Sequence, residues 1–463
     1  MKVMKGLKPS KIRLIYDGIV SDSAVPKPMS PEPKISLLTA IAIVVANMVG
    51  VGVFTSLGFQ VVDIPSGFPI LLLWLIGGVL SFCGAVCYGE LAAMMPRSGG
   101  EYHLLSEGYH PLLGFLSGWI SVTVGFGAPI AAAGLAFGEY MGAITGVGRG
   151  ELYAAILVIL VTLVHLRGVR TASQFQIAFT SGKVLLILLL SFFAFVIGKG
   201  QGVSLLPQPG DLELIFQPAF AISLFWVMYA YSGWNAAAYV AGEVRNPGRN
   251  VPLALVVGTG VVTLLYIMLN AAFLHVTPVE EMKRQEEVGL IAATHIFGEQ
   301  GGKVMGLLIS FGLVSTISSM IWAGPRVTQV MAEDYRLFGF LSVKNRFGSP
   351  GWAILLQSAI VLILLVTSTF ESLIYYIQAL LFVSSFLVVL AVFVLRVRRP
   401  EADRPYKTWG YPVTPIIFLA ATVLMLVKFA SERPGETLWG LLTLVAGFAV
   451  YYVAKRHQAK PAS

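Results

Sequence analysis

Asn47-Met48-Val49-Gly50-Val51-Gly52-Val53-Phe54 places two glycines two residues apart inside an otherwise apolar run. Gly50 and Gly52 let the backbone leave helical geometry there and leave its amides uncovered. A helix restarting at that point aims its free N–H groups and the positive end of its dipole into the gap, which suits a carboxylate. A second stretch of this kind is Tyr229-Ala230-Tyr231-Ser232-Gly233-Trp234-Asn235. A helix that ends early there leaves unpaired carbonyls, good acceptors for an ammonium. Candidate binding residues are therefore Val49, Gly50, Val51, Gly52 and Val53 at the first break, and Tyr229, Ala230, Tyr231, Ser232 and Asn235 at the second. For either stretch alone the alternative is close packing, since Gly and Ser at short spacing let helices approach.

Other polar groups sit inside apolar runs. Lys183 falls well within one, and an ionised lysine facing lipid at that depth costs about 2.5–3.5 kcal/mol. It should face the protein interior, paired with carbonyls, or titrate; the alternative is a stem that carries the amine back to the interface. Ser315, Ser318 and Ser319 follow helical spacing, with Thr316 beside them, and read as one hydroxyl face that either binds a cation or glues helices together. Glu90, ahead of Pro96, suits a gate or proton path at one membrane face, or a carboxylate capped by nearby amides. Glu243 and Arg245 are placed to pair, and Arg326, after Gly324-Pro325, reads as an anchor at a kink. The segment 96–111, with Tyr102, Leu105 and Tyr109 at roughly helical spacing, suggests an interfacial helix. A surface helix is expected in the acidic segment 278–300.

The elements that must position these groups follow from composition. Of 463 residues, 56 % are hydrophobic and only 12 % charged, against about 25 % charged in soluble domains. Mean hydropathy is +0.78. Too little polar surface exists to solvate such a chain in water, so it reads as an all-α polytopic membrane protein. Apolar runs of about 20 residues, the length that crosses a bilayer, recur twelve times, at 36–58, 68–95, 112–140, 151–167, 174–198, 214–242, 251–275, 302–334, 352–369, 371–398, 412–430 and 435–454. No secretory signal pattern opens the chain, so the first run is expected to act as the targeting segment.

Net charge is +8, which in a soluble protein would suggest nucleic acid. Here the basic residues on one set of loops outnumber those on the other by roughly three to one, which is the positive-inside signature. Both termini are therefore expected in the cytoplasm, with tails at 1–35 and 455–463, and nucleic acid is not expected as a partner. Enzyme signatures are missing: the sequence has no G-x-S-x-G, H-E-x-x-H or phosphate-cradling G-x-x-x-x-G-K-[ST], and its six histidines do not cluster. No cofactor and no metal are expected.

The two breaks fall in the first and sixth runs, five apart. Repeats of an odd number of spans run in opposite senses through the membrane, and interrupted helices at matching places mark a midplane binding site. An anion-binding break facing a cation-accepting break describes a pocket for the backbone of an α-amino acid.

At this point the residues resemble a known group. Gly50-Val51-Gly52-Val53-Phe54, Tyr88-Gly89-Glu90-Leu91 running into Met95-Pro96-Arg97-Ser98-Gly99-Gly100-Glu101-Tyr102, Gly182-Lys183, Tyr231-Ser232-Gly233-Trp234-Asn235 continuing to Glu243-Val244-Arg245-Asn246-Pro247, and Arg404-Pro405-Tyr406-Lys407 occur in order. The chain resembles the amino acid–polyamine–organocation superfamily, and within it the L-amino acid transporter-like permeases, over nearly all of 36–430.

The resemblance implies twelve transmembrane helices in a five-plus-five inverted repeat (the LeuT-like fold), with helices one and six broken. The repeat would fill 36–398, leaving the last two helices, 399–454, outside it. It also implies alternating access, amides around Val51, Gly52 and Val53 on the substrate carboxylate, and carbonyls near Tyr229, Ala230 and Tyr231 on its amine. Tyr229 would be an aromatic gate, and Trp234 and Asn235 would line the pocket below it. Lys183 would take the space of the sodium ion of sodium-coupled relatives.

Many relatives carry Ser where this chain has Val51, so a hydroxyl contact is lost. The outer loop 141–150 has no cysteine, so no disulfide-linked partner subunit is expected. The expected function is sodium-independent secondary transport, by exchange or proton symport, of neutral L-amino acids across the plasma membrane. A polyamine or organic-cation permease, and a sensor that binds amino acids without moving them, are the alternatives. Gly52→Val is expected to fill the anion's place while leaving the fold intact.

Overall fold

The computed structural model describes residues 34–146, 148, 150–367 and 370–458; the expected tails fall largely outside the described residues. In chain order the helices are α1 (Leu37–Met48), α2 (Gly52–Gln60), α3 (Gly67–Met94), α4 (Glu101–Gly108), α5 (Pro111–Ile120), α6 (Gly127–Thr145), α7 (Gly150–His165), α8 (Val169–Val196) and α9 (Asp211–Phe216). They continue with α10 (Pro218–Ala230), α11 (Ala236–Tyr239), α12 (Pro247–Val276), α13 (Val279–Met282), α14 (Val288–Asp334), α15 (Gly351–Thr367), α16 (Phe370–Arg398), α17 (Val413–Glu432) and α18 (Pro434–Gln458). Backbone groups in hydrocarbon must be satisfied within the segment, which is why the apolar runs become helices.

Each of the twelve expected runs contains a helix. Nine segments among the described residues are long and apolar enough to cross a bilayer, and the shorter apolar helices α7, α10 and α15 fill the other three runs. Prolines open several of them, at Pro111, Pro218 and Pro247, where the missing N–H removes no intrahelical bond.

The broken first segment is the hub. Of its most apolar stretch 78 % is buried, against 28 % for α17 and 22 % for α18, so those two lie at the edge. On α8 the residues Leu185, Leu188, Leu189, Phe192 and Phe195 are exposed. They recur every three or four residues, the stripe that a helix presents to lipid. The protein is a multi-pass membrane protein.

Two local expectations change. Instead of lying on a surface, α4 is packed inward, with Glu101, Tyr102, Leu104 and Leu105 all buried, and the Tyr109 hydroxyl bonds the Leu387 carbonyl. The acidic segment 278–300 forms the single turn α13 and the start of α14, which bends at Gly298 where φ is 73°. The third segment is not uniform either: α5 and α6 are joined by a π-helical turn over Ser121–Gly125, a distortion often found at functional sites.

Candidate functional site

The first segment is interrupted between α1 and α2. Val49 has φ −72° and ψ 82°, outside helical geometry, and only Val51 at the start of α2 returns to it. The amides at the start of α2, from Val51 to Val53, lie beyond the reach of any intrahelical carbonyl. In the sixth segment α10 ends at Ala230, and α11 begins at Ala236. Gly233 makes that break possible: its φ of 96° suits glycine alone, and a Cβ there would lie 2.8 Å from the Asn47 backbone and side chain.

The two breaks touch. A Cβ on Gly52 would lie 2.7 Å from the Ala230 Cα, so α2 and α10 meet through bare backbone. The expectation that a Gly52 side chain would occupy the anion's place is corrected here. It would meet Ala230 and force the half-helices apart.

Each chain end is held by a side chain from a neighbouring helix. The Lys183 ammonium, on α8, donates to the Val49 carbonyl, to the Ala46 carbonyl at 3.4 Å and to Thr316 Oγ1 at 2.8 Å. Thr316 Oγ1 lies 2.9 Å from the same Val49 carbonyl. The Lys183 amine thus sits at the carbonyl end of α1, where the macrodipole favours a positive charge. Tyr266, on α12, places its hydroxyl 2.5 Å from the Met48 carbonyl and 2.8 Å from the Ala230 carbonyl, linking the two breaks through one O–H.

Two adjoining cavities open beside the breaks. The smaller, about 10 Å³, is lined by Gly50, Val51, Gly52, Tyr229, Ala230 and Thr316, among others. The larger, about 60 Å³, is lined by Trp234, Asn235, Tyr239, Gln378 and Ser385, together with Phe126 and Phe382. Asn47, Pro129, Ser232 and Met320 line both. No Asp, Glu, Lys or Arg is among the described residues that line either cavity.

Of the candidate binding residues, the structure brings Gly50, Val51, Gly52, Tyr229, Ala230, Ser232 and Asn235 to these cavities. Val49 faces away, its carbonyl taken by Lys183 and Thr316. Val53 is buried behind the opening of α2. The Tyr231 side chain also turns away, its hydroxyl donating to the Trp74 carbonyl at 2.9 Å and its ring packing on Tyr266.

The serines of α14 do not share one face toward one site. Ser315 approaches Gln176 and Thr180 on α8, Ser318 bonds His165 on α7 at 2.8 Å, and Ser319 donates to its own helix at Thr316. Glu90 lies away from the cavities. Arg396 grips it at 2.6 and 3.0 Å, Arg404 lies at 3.3 Å, and the Thr408 amide donates at 2.7 Å, so it ties α3 to α16 and to the stretch before α17. Glu243 pairs with Arg326 at 3.0 Å. Ile35 and Val244 form a backbone bridge, with Ile35 N–H bonded to the Glu243 carbonyl and Arg245 N–H to the Ile35 carbonyl.

Sequence reasoning passed over Phe126 and Pro129 beside the π-helical turn, Tyr266 on α12, and Gln378, Phe382 and Ser385 on α16. Gly125-Phe126-Gly127-Ala128-Pro129 carries a local signal, glycines with a proline inside an apolar run. Tyr266 and Gln378 carry none, being single polar groups in long apolar helices.

Comparison with known proteins adds the lineage. Residues 35–453 match the family described as Amino acid permease. The serine/threonine exchanger SteT of Bacillus subtilis (strain 168) is 30 % identical over 435 residues, which cover 92 % of this chain and 98 % of that protein. The large neutral amino acids transporter small subunit 2 of Homo sapiens is 30 % identical over 455 residues, 93 % of this chain and 82 % of its own. The b(0,+)-type amino acid transporter 1 of Mus musculus is 27 % identical over 441 residues, 92 % and 89 % respectively.

Proposed function

Since the chain belongs to the amino acid permease family, we propose that it is a sodium-independent secondary carrier of neutral L-amino acids that works by alternating access. The observation carrying this reading is the meeting of α2's uncovered amides with the carbonyl end of α10 at cavities that no charged side chain lines among the described residues. The amides of Val51 to Val53 take the substrate carboxylate. The carbonyl end of α10, around Tyr229 and Ala230, takes its ammonium, with Tyr229 as the gate. Asn235, Ser232, Gln378 and Ser385 meet a small uncharged side chain, in keeping with the substrates that the name of the Bacillus subtilis relative carries.

Sodium independence rests on Lys183. Its ammonium lies against the Val49 carbonyl and Thr316 Oγ1, oxygens that would otherwise suit a small hard cation. The twelve-helix, five-plus-five arrangement over 36–398 rests on breaks in the first and sixth segments, with α17 and α18 peripheral. Cytoplasmic termini and a plasma-membrane location rest on the basic loops. The human relative is called a small subunit, yet the two cysteines here, Cys83 and Cys87, are both free and buried in α3. The proposed carrier therefore works without a disulfide-linked partner.

The test is counterflow of labelled serine, alanine and leucine into proteoliposomes preloaded with the unlabelled amino acid. Uptake should persist when choline replaces sodium. Amino acid methyl esters, which lack the anion, should compete poorly. Strong competition by methyl esters or polyamines would favour the organic-cation reading, and saturable binding without counterflow would favour a sensor.

A further inference from the structure

Glu101, on α4 outside the membrane-spanning segments, is 1 % exposed. Its two oxygens are treated differently. Oε1 takes the Tyr88 hydroxyl at 2.5 Å, the Asn235 amide at 3.1 Å and the Ser385 hydroxyl at 3.3 Å. Oε2 has only Ser117 Oγ at 3.4 Å, a hydroxyl that accepts as readily as it donates. The three donors on Oε1 favour a carboxylate and burial opposes it, while Oε2, with one long contact to a hydroxyl able to accept, has room for a proton.

The surroundings agree. Among the described residues no Lys, Arg or His pairs with Glu101, whereas Glu90, equally buried, has two arginines. The titratable side chains that face it are Tyr88 on α3 and Tyr239 on α11. Ser117 of α5, Ser385 of α16 and Asn235 after α10 are uncharged. On its own helix His103 lies two residues along, and Arg97, which precedes the helix, is spent on Asp334 at 2.9 Å.

We propose that Glu101 is a proton-binding site of the carrier, reached from the substrate cavity through Ser385 and emptied when the broken sixth segment moves. This rests on the amino acid carrier reading above. Ser385 and Asn235 line the larger cavity and also bond the carboxyl, so one hydroxyl separates cavity water from the acid. The proton leaves a hydronium in the cavity, forms an O–H bond on the carboxyl, and is returned to water on the other face; no other bond changes. Asn235 is the last residue of the break in the sixth segment, so separating that segment from α4 removes a donor and wets the carboxyl. Burial, opposed by the hydrogen bonds, pushes the acid up to about 7 in the closed arrangement, and hydration returns it toward the ordinary range. Loading and release then follow the conformational cycle.

The test uses the whole protein in proteoliposomes with labelled serine and an entrapped pH dye. With the outside one pH unit more acid, wild type should accumulate serine up to about tenfold, the limit for one proton per substrate, and the dye should report proton entry with serine. Glu101→Gln should lose the response to the gradient, and Glu101→Asp should keep it. A wild type that ignores the gradient, or a Glu101→Gln protein that keeps the full response, overturns the proposal. Should Glu101→Gln not fold, the wild-type dye signal decides, and serine entry without protons overturns the idea. Counterflow needs no gradient, so failure of counterflow would indict the carrier reading itself and is separable from these results.

Discussion

Lys183, on α8, donates to Thr316 Oγ1 on α14 at 2.8 Å, and both side chains donate to one acceptor, the Val49 carbonyl. The end of α1 is therefore tied to two other helices through a single buried amine. Opening on either side must move this knot as a body or break it.

Replacing Lys183 by Met should cost about 1–3 kcal/mol, because the Val49 carbonyl is left without its strongest donor. Uptake should fall more than tenfold, and added sodium should restore none of it unless the vacated space admits a cation. Arg should not rescue, since its planar fork does not match a compact ammonium. Thermal unfolding in detergent and counterflow with and without sodium measure this; an active Lys183→Met protein would show the knot to be dispensable.

Tyr266→Phe is a narrower cut. It removes one hydroxyl that lies between the Met48 and Ala230 carbonyls and leaves the ring packed on Trp74. The expected loss is about 1 kcal/mol of stability, with weaker apparent substrate affinity because the two breaks lose their common tie. Binding measured by thermal shift against serine would show it, and an unchanged shift would confine Tyr266 to packing.

The breaks were legible because glycines and polar residues stand out in apolar runs, and the structure interrupts the helices at those stretches. The serine face on α14 misled for a physical reason. A helix surrounded by neighbours has no single face, so residues within 100° of one another meet α7, α8 and their own backbone. Gln378 and Ser385 were invisible because one amide or hydroxyl in a long apolar helix looks the same whether it lines a cavity or glues two helices. Glu101 was read only as part of a motif. Its burial depends on α4 being enclosed by α3, α5 and α16, which no local pattern announces.

Gly52 gives a steric prediction that differs from the sequence-based one. Even Ala places a Cβ 2.7 Å from the Ala230 Cα, so Gly52→Ala should lower the melting temperature as well as transport, and Gly52→Val should express poorly. Overpacking of this kind costs typically 1–3 kcal/mol. A Gly52→Ala protein of unchanged melting temperature that loses only substrate binding would restore the view that the side chain competes with the anion.

Burial raises the Glu101 acid from 4.5 to about 7, so between those values the folded protein keeps a proton that the unfolded chain has released. The folded state then binds more protons, and unfolding free energy falls as pH rises through this window. This contribution is complete below about pH 4.5 and lost by the time pH exceeds about 7. Other groups add slopes of their own, so the informative quantity is the difference between wild type and Glu101→Gln, whose amide does not titrate. Melting temperatures in detergent from pH 5 to 8 should fall more steeply for wild type than for the variant. Parallel curves would mean that the carboxyl is already ionised in the closed protein, held by its four donors, and that no proton is stored there.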